Sequence, residues 1–142
     1  MAEKTIAVEF DGYWRDENKG GLPAKSGVYC VYECTLNVME KEKTVNIHKL
    51  IYIGEAEDVN SRVANHEKYK DWLKHVRGGH ELCFSFGGVG STDRNRAEAA
   101  MIFKHKPPEN EEYKNSFPFD KTTMSLSGKT AELTTNFTVD RS

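Results

Sequence analysis

Two apolar segments decide the fold of this 142-residue chain: Gly-Val-Tyr-Cys-Val-Tyr at 27–32 and His-Lys-Leu-Ile-Tyr-Ile at 48–53. Both are rich in β-branched and aromatic residues, which favour strands. The segment between them, Asn37 to Asn46, is polar and includes Glu40-Lys41-Glu42-Lys43, so it indicates an exposed loop or hairpin tip. Because this connection is too polar to be a buried crossover helix, the two strands are predicted to pair antiparallel.

A helix is predicted directly after the second strand. Asp58 is a typical N-cap residue, and Val59 and Val63 form one apolar face of the helix that follows it. Arg62 and His66 lie four residues apart, which predicts that they share a neighbouring face of the same helix.

A second helical piece, a third strand and a last helix follow. The helical piece stops at Gly78-Gly79 and has four apolar residues at helical spacing: Tyr69, Trp72, Leu73 and Val76. The third strand alternates three apolar residues: Leu82, Phe84 and Phe86. We expect Asp93 to cap the last helix, which ends at His105 because Pro107 and Pro108 cannot continue it.

Both ends of the chain carry weaker patterns. An alternating segment at 6–10 suggests a short strand, and residues 12–26 are rich in Gly, Pro and charge and indicate a loop. Residues 124–126 and 133–139 suggest a hairpin around Ser127-Gly128-Lys129.

The order strand, strand, helices, strand, helix predicts an α/β or α+β fold. We expect a small, three-stranded, largely antiparallel central sheet flanked by helices, with short N- and C-terminal additions. A chain of 142 residues is long enough for a single domain, residues 1–142, and too short for two.

Composition excludes several classes of protein. Hydrophobic residues at 37% and charged residues at 30% argue against a disordered chain. No apolar run is long enough to span a membrane and no secretory signal precedes the first strand. Three cysteines, an odd number, favour a reducing compartment, so we expect a cytoplasmic protein. Cys30 and Cys34 lack the second pair of ligands that a zinc site needs.

The net charge of −2 is unusual for a nucleic-acid-binding protein, which commonly has a basic surface. Basic residues nevertheless cluster locally, and the candidates for DNA contacts are Lys68, Lys74, Arg94, Arg96 and Lys104. Solvated helix faces are the alternative interpretation of these clusters.

The tripeptides Gly27-Val28-Tyr29 and Tyr52-Ile53-Gly54 are followed by side chains that suit phosphodiester cleavage. These are a cation, an imidazole, a carboxylate and an amide: Arg62, His66, Glu98 and Asn110. Hydrolysis needs an activated water and neutralisation of charge on the phosphate. Each residue also has a structural alternative, such as a packed strand tyrosine or an exposed helix carboxylate.

With these residues the chain resembles the GIY-YIG nuclease domain family. The first tripeptide has valine in place of isoleucine, and the second is unchanged. The family's arginine, ten residues past the second tyrosine, is matched by Arg62, and its histidine four residues later by His66. The family's metal-binding glutamate is matched by Glu98, and its Pro-x-x-Asn ending by residues 107–110.

The resemblance covers residues 27–110 and leaves 1–26 and 111–142 as extensions. It implies that Tyr29 is the general base, that Tyr52 orients the attacking water or supports Tyr29, and that Glu98 binds Mg²⁺ or Mn²⁺. Magnesium keeps most of its waters and needs only one or two carboxylates, so one glutamate can suffice.

The other matched residues have supporting roles. Arg62 is expected to contact the phosphate, because its guanidinium stays charged and matches phosphate geometry. His66 is expected to assist proton transfer or hold a phosphate, and Asn110 to position backbone or the metal shell. Gly27 and Gly54 are interpreted as backbone positions that permit close approach.

The sequence thus predicts a metal-dependent DNA endonuclease. Two departures from the family keep an alternative open: the segment between the tripeptides, residues 34–48, is longer than usual, and the chain is less basic. The alternative is a module that binds a DNA structure or a protein with weak or no cleavage, or a nuclease subunit whose protein partner supplies DNA affinity and targeting.

Overall fold

The computed structural model describes residues 2–38 and 44–142. In chain order its strands and α-helices are β1 (Lys4–Arg15), β2 (Gly27–Asn37), β3 (Thr44–Ala56), α1 (Val59–Ala64), α2 (Tyr69–Leu73), β4 (Glu81–Gly88), α3 (Ser91–His105), β5 (Thr122–Gly128) and β6 (Asn136–Val139). A short 3-10 helix, Asp16–Gly21, follows β1. The loop or hairpin tip was predicted over residues 37–46; Asn37 instead belongs to β2 and residues 44–46 to β3, and residues 39–43 lie outside the described residues.

The strands form one six-stranded mixed sheet in the order β3-β2-β4-β1-β5-β6. The prediction of a small three-stranded sheet was therefore wrong. Strands β3, β2 and β4 form an antiparallel half, as expected for the segments around the tripeptides. Strand β1 continues the sheet, antiparallel to β4 and parallel to β5, and β6 forms the far edge.

The error arises mainly at β1. Residues 12–15 belong to this strand, although their Gly and charged residues indicated a loop. The strand pairs on both sides, with Phe10 opposite Gly87 on β4 and opposite Gly128 on β5. Residues 12–15 pair with β4 alone, opposite residues 83–85, and this pairing with a segment distant in sequence outweighs the weak local pattern. The predicted C-terminal hairpin is present as β5 and β6, which pair antiparallel, but the predicted turn position was wrong because Ser127 and Gly128 belong to β5.

Two hydrophobic clusters cover the two faces of the sheet. On strand β2, Val28, Cys30 and Tyr32 belong to the cluster under α3, whereas Tyr29 and Val31 belong to the cluster under α1 and α2. Because both faces are covered, β2 is a continuous apolar run instead of an alternating one. Tyr29 therefore faces the side of the sheet on which α1 and α2 pack.

The helix boundaries agree only in part with the sequence prediction. Asp58 caps α1 as predicted, since its carboxylate accepts the Ser61 N–H at 3.1 Å. Asp93 does not cap α3, which begins at Ser91 with Gly90 at the N-cap; its carboxylate instead pairs with Lys4. Helix α3 ends at His105 as predicted, whereas α2 is a short helix that ends at Leu73.

A buried carboxylate ties the connection between α2 and β4 to the sheet. Glu33 on β2 accepts the backbone N–H and the Nε–H of Arg77, both at 3.0 Å, and lies 2.9 Å from Nδ1 of His80. Burial opposes ionisation of Glu33, but the hydrogen bonds and charge of Arg77 outweigh it and lower the pKa of Glu33 to about 2.

No helix among the described residues has the length and apolar character needed to cross a membrane.

Candidate active site

The pairing of β2 with β3 brings the two tripeptides side by side. Tyr29 lies directly opposite Gly54, and Gly27 lies opposite Ala56. A Cβ atom on Gly54 would lie 2.3 Å from both Cζ and Oη of Tyr29, so the phenol of Tyr29 crosses this position. A Cβ on Gly27 would lie 2.3 Å from the carbonyl oxygen of Gly87. Both glycines therefore permit a close approach, one by a phenol ring and one by a neighbouring strand.

The hydroxyl of Tyr29 is hydrogen-bonded to His66. The distance from Oη to Nε2 is 2.9 Å. The other ring nitrogen, Nδ1, accepts the backbone N–H of Lys68 at 3.1 Å. A nitrogen that accepts a hydrogen bond carries no proton, so neutral His66 is protonated on Nε2 and donates to Tyr29. The phenol's own proton is then not used in this bond.

His66 is held in an aromatic pocket. Its side chain is fully buried, and its ring centroid lies 4.4 Å from that of Trp72 and 5.5 Å from that of Tyr52. Burial, together with the charge of Arg62, lowers the pKa of His66 to about 4. The imidazole is therefore neutral at pH 7, and the Glu67 carboxylate 3.6 Å from Nδ1 does not form an ion pair with it there.

His66 reaches this position in a way that the sequence did not predict. Helix α1 ends at Ala64, so His66 lies beyond the helix and does not share a helical face with Arg62. The predicted helical pairing of these two residues was wrong. The chain turns after Asn65, which directs the imidazole into the core.

Both tyrosines are neutral phenols in this structure. Burial raises the pKa of Tyr29 well above its usual value of 10; Tyr52 adds to the rise, and the charge of Arg62 opposes it. Burial raises the pKa of Tyr52 to about 12, and Glu98 adds to that rise. Forming a phenolate here requires additional positive charge near the ring oxygens.

The guanidinium of Arg62 is bound by a carboxylate of the same chain. Its Nη1 and Nη2 atoms donate to the two oxygens of Glu67 at 2.6 and 2.7 Å. This bidentate geometry is the one with which arginine also binds phosphate. The hydrogen bonds to Glu67 raise the pKa of Arg62 above its usual value.

Glu98 lies on α3 and lines a cavity of about 200 Å³ together with Tyr52, Lys68, Asn110 and Glu112. Burial raises the pKa of Glu98 to about 8, and the negative charges of Glu55 and Glu112 add to the rise. Within the described part of the chain, no group of three or more His, Cys, Asp or Glu side chains is arranged to hold a metal ion. Glu98, Glu111 and Glu112 all line this small polar cavity, which suits a hard cation that keeps most of its waters and needs only one or two carboxylates better than it suits a closed metal cage.

Asn110 binds the backbone of the second tripeptide. Its side-chain oxygen accepts the N–H of Ile53 at 2.9 Å, and its Nδ2 donates to the carbonyl of Ile53 at 2.8 Å. The backbone N–H of Glu109 donates to the carbonyl of Ile51 at 3.1 Å. Of the two roles open to Asn110, these contacts give it that of positioning backbone between Tyr52 and Gly54.

The basic residues proposed as DNA contacts do not form one surface. Arg96 is 7% exposed, and its guanidinium donates to Thr122 and to backbone carbonyls. Arg94 is bound by Glu55 and by Ser26. Lys68 lines the Glu98 cavity. Lys74 is exposed at the end of α2, and Lys104 is exposed in the last turn of α3. We therefore leave Arg94 and Arg96 out of any proposed interface.

Sequence reasoning missed three neighbours of the site. Trp72 was assigned only to an apolar helix face, although it packs against both His66 and Tyr52. Glu67 follows His66 directly, but no spacing rule links it to Arg62. Glu112 was placed in a polar extension, and only the fold brings it close enough to affect the pKa of Glu98.

Comparison with known proteins found no matching family model, no matching curated protein and no matching solved structure.

Proposed function

We propose that the protein is a metal-dependent endonuclease that hydrolyses phosphodiester bonds in DNA, as the resemblance to GIY-YIG nucleases implies. The observation that carries this proposal is the hydrogen bond between Tyr29 and a neutral His66 whose other nitrogen is fixed by the Lys68 amide. A buried strand tyrosine needs a hydrogen-bond partner in any case, so it is the direction of this bond that supports the proposal. Here the imidazole N–H donates a hydrogen bond to the oxygen on which a phenolate charge would form.

In the proposed reaction the phenol of Tyr29 first loses its proton to solvent, and the resulting phenolate then takes a proton from the attacking water. The N–H of His66 and the charge of Arg62 both favour the phenolate, because each interacts best with a negative oxygen. The water oxygen forms a bond to phosphorus as the bond to the 3′ oxygen breaks. The 3′ oxygen takes a proton from solvent, which leaves a 5′-phosphate and a 3′-hydroxyl.

The remaining residues act on charge and position. Arg62 would contact the non-bridging phosphate oxygens, where negative charge grows, after it exchanges Glu67 for the substrate. Glu98 would hold Mg²⁺ or Mn²⁺, which when bound supplies positive charge to the phosphate and the leaving oxygen. A cation there would also relieve the repulsion from Glu55 and Glu112 that raises the pKa of Glu98. Tyr52 lines the same cavity and would orient the water.

A plasmid-nicking assay tests the proposal. We expect the wild type to nick in Mg²⁺ or Mn²⁺, and Tyr29→Phe and Glu98→Ala to lose at least about a hundredfold in rate, as for loss of a general base. Phenylalanine keeps the packing of Tyr29 and removes only its hydroxyl. Equal rates in all three proteins would refute the assigned roles.

A second candidate function is a binding module, or a nuclease subunit that depends on a partner for DNA affinity. The observations in its favour are the net charge of −2 and the commitment of Arg94 and Arg96 to other groups. DNA binding without cleavage of duplex, branched or single-stranded substrates would favour the module. If the protein alone neither binds nor cleaves DNA and does so only with a cellular partner, the subunit is favoured.

On either proposal we place the protein in the cytoplasm, since Cys30, Cys34 and Cys83 are buried free thiols.

A further inference from the structure

A second and larger cavity, distinct from the one that Glu98 lines, has His66 in its lining. It measures about 640 Å³ and is lined by residues of three segments: Lys19, Asn65, His66, Glu67, Tyr69 and Lys70. Lys19 belongs to the 3-10 helix, in the N-terminal segment that lies outside the region of resemblance. The volume is that of a pocket for a small ligand or a nucleotide.

The wall contributed by the N-terminal segment is fastened to α1. The side-chain amide of Asn60 donates to the carbonyls of Gly20 at 2.9 Å and Leu22 at 2.7 Å. The backbone N–H groups of Val59 and Asn60 donate to the carbonyls of Lys25 at 3.1 Å and Pro23 at 3.2 Å. These bonds fix the position of the 3-10 helix beside the cavity before any ligand binds.

Cationic groups and one aromatic ring face this cavity. The ammonium of Lys19 lies 4.2 Å from the centroid of the Tyr69 ring and 3.5 Å from Asp16, whose carboxylate accepts the Tyr69 hydroxyl. Lys70, on α2, is exposed and also lines the cavity. At 3.5 Å the contact of Lys19 with Asp16 is longer than a normal hydrogen bond, which leaves its donors available to an anion.

One of the residues that line the cavity, Glu67, carries a negative charge. Its carboxylate is bound bidentate to Arg62. This carboxylate is 66% exposed, so an external anion can replace it on Arg62 at little cost. Arg62, Lys19 and Lys70 would then present three cations to a polyanion at this cavity.

We propose that this cavity binds the nucleic-acid strand next to the bond that is cut, with the adjacent phosphate between Lys19 and Lys70. The inference rests on the proposed nuclease function and adds to it a subsite from the N-terminal segment. Such a subsite would allow a chain with a net charge of −2 to bind a strand, because Lys19 and Lys70 line the same cavity.

The test is DNA binding by the full chain in a Glu98→Gln background, which prevents cleavage while Mg²⁺ is present. The probe is a fluorescein-labelled duplex oligonucleotide, followed by anisotropy between 50 and 200 mM salt. We expect Lys19→Ala and Lys70→Ala each to weaken binding at least threefold at 50 mM salt, and each to reduce the slope of log K against log salt by about 0.9, the value of one phosphate contact.

The matched control is Lys25→Ala, which removes an exposed lysine of the same segment that does not line the cavity. It should leave both the affinity and the slope unchanged. Thermal unfolding checks that Lys19→Ala, which also removes the contact with Tyr69, remains folded; Lys70→Ala changes an exposed residue and provides an independent arm. Equal effects of all three variants, no effect of Lys19 and Lys70, or no binding at all would overturn the proposal.

Failure of this proposal is distinguishable from failure of the nuclease function. If the wild type nicks DNA while Lys19→Ala and Lys70→Ala bind like the control, the function stands and the subsite is wrong. If the wild type never nicks DNA while both variants bind more weakly than the control, the subsite stands and the catalytic roles are wrong.

Discussion

Replacing Gly54 by alanine would put a methyl group where the phenol of Tyr29 lies. The new Cβ would be 2.3 Å from Cζ and Oη and 2.8 Å from Cε1 of Tyr29. An ordinary contact begins at 3.4 Å, so the ring must move by about 1 Å or the strands must separate. Either movement lengthens the 2.9 Å bond between Tyr29 and His66. Overpacking of this kind costs about 1–3 kcal/mol of stability, and a shift of 1 Å in a catalytic group costs about a hundredfold in rate.

Two measurements check this prediction. For Gly54→Ala we expect a melting temperature lower by about 2–12 °C, since 1 kcal/mol shifts a domain of this size by about 2–4 °C. We also expect plasmid nicking to fall about a hundredfold. The matched control is Gly88→Ala, another strand glycine, where a Cβ would meet Phe86 at 3.8 Å and so fits without displacement. A Gly54→Ala protein with wild-type melting temperature and nicking rate would refute the reasoning.

Two further predictions concern pH. Between about pH 6.5 and 4 the unfolded chain binds a proton at His66 and the native chain does not, so this group makes the free energy of unfolding fall as pH is lowered, by about 3 kcal/mol in total. His66→Gln should lack this component in denaturant titrations at several pH values, and an unchanged pH dependence would contradict the neutral assignment. Glu33 has a native pKa of about 2 against 4.5, so its contribution of about 3 kcal/mol is complete above pH 4.5 and is lost as pH falls towards 2. In acid unfolding followed by circular dichroism, Glu33→Gln should be destabilised at pH 6 and approach the wild type at pH 2; a constant difference would exclude the ion pair as the cause.

The parts of the fold that depend on local signals could be predicted from the sequence. The apolar runs around Tyr29 and Tyr52 gave two antiparallel strands, Asp58 gave a helix start, and Pro107 gave a helix end at His105. Each of these signals acts within a few residues of the element it defines. Residues 12–15 extend β1 by pairing with residues 83–85 of β4, which are distant in sequence, so these residues gave no local sign of a strand.

The candidate site divides in the same way. The residue types followed from spacing, but their hydrogen-bonding states did not. The proton on Nε2 of His66 depends on the backbone amide of Lys68, which donates to Nδ1. The ion pair between Arg62 and Glu67 depends on the path of the chain after α1. The raised pKa of Glu98 could not be predicted either, since it reflects burial and then the charges of Glu55 and Glu112, all of which arise only in the folded chain.

The two hydrogen bonds of Asn110 have a consequence for self-association. Strand β3 is an edge of the sheet, and an edge strand offers its unpaired backbone groups to any other extended chain. At Ile53 the side-chain amide of Asn110 takes up both of these groups, as the backbone of a neighbouring strand would, and the N–H of Glu109 takes up the carbonyl of Ile51. The segment after α3 thus covers this part of the β3 edge, and a second copy of the chain cannot add a strand beside Tyr52 without displacing it.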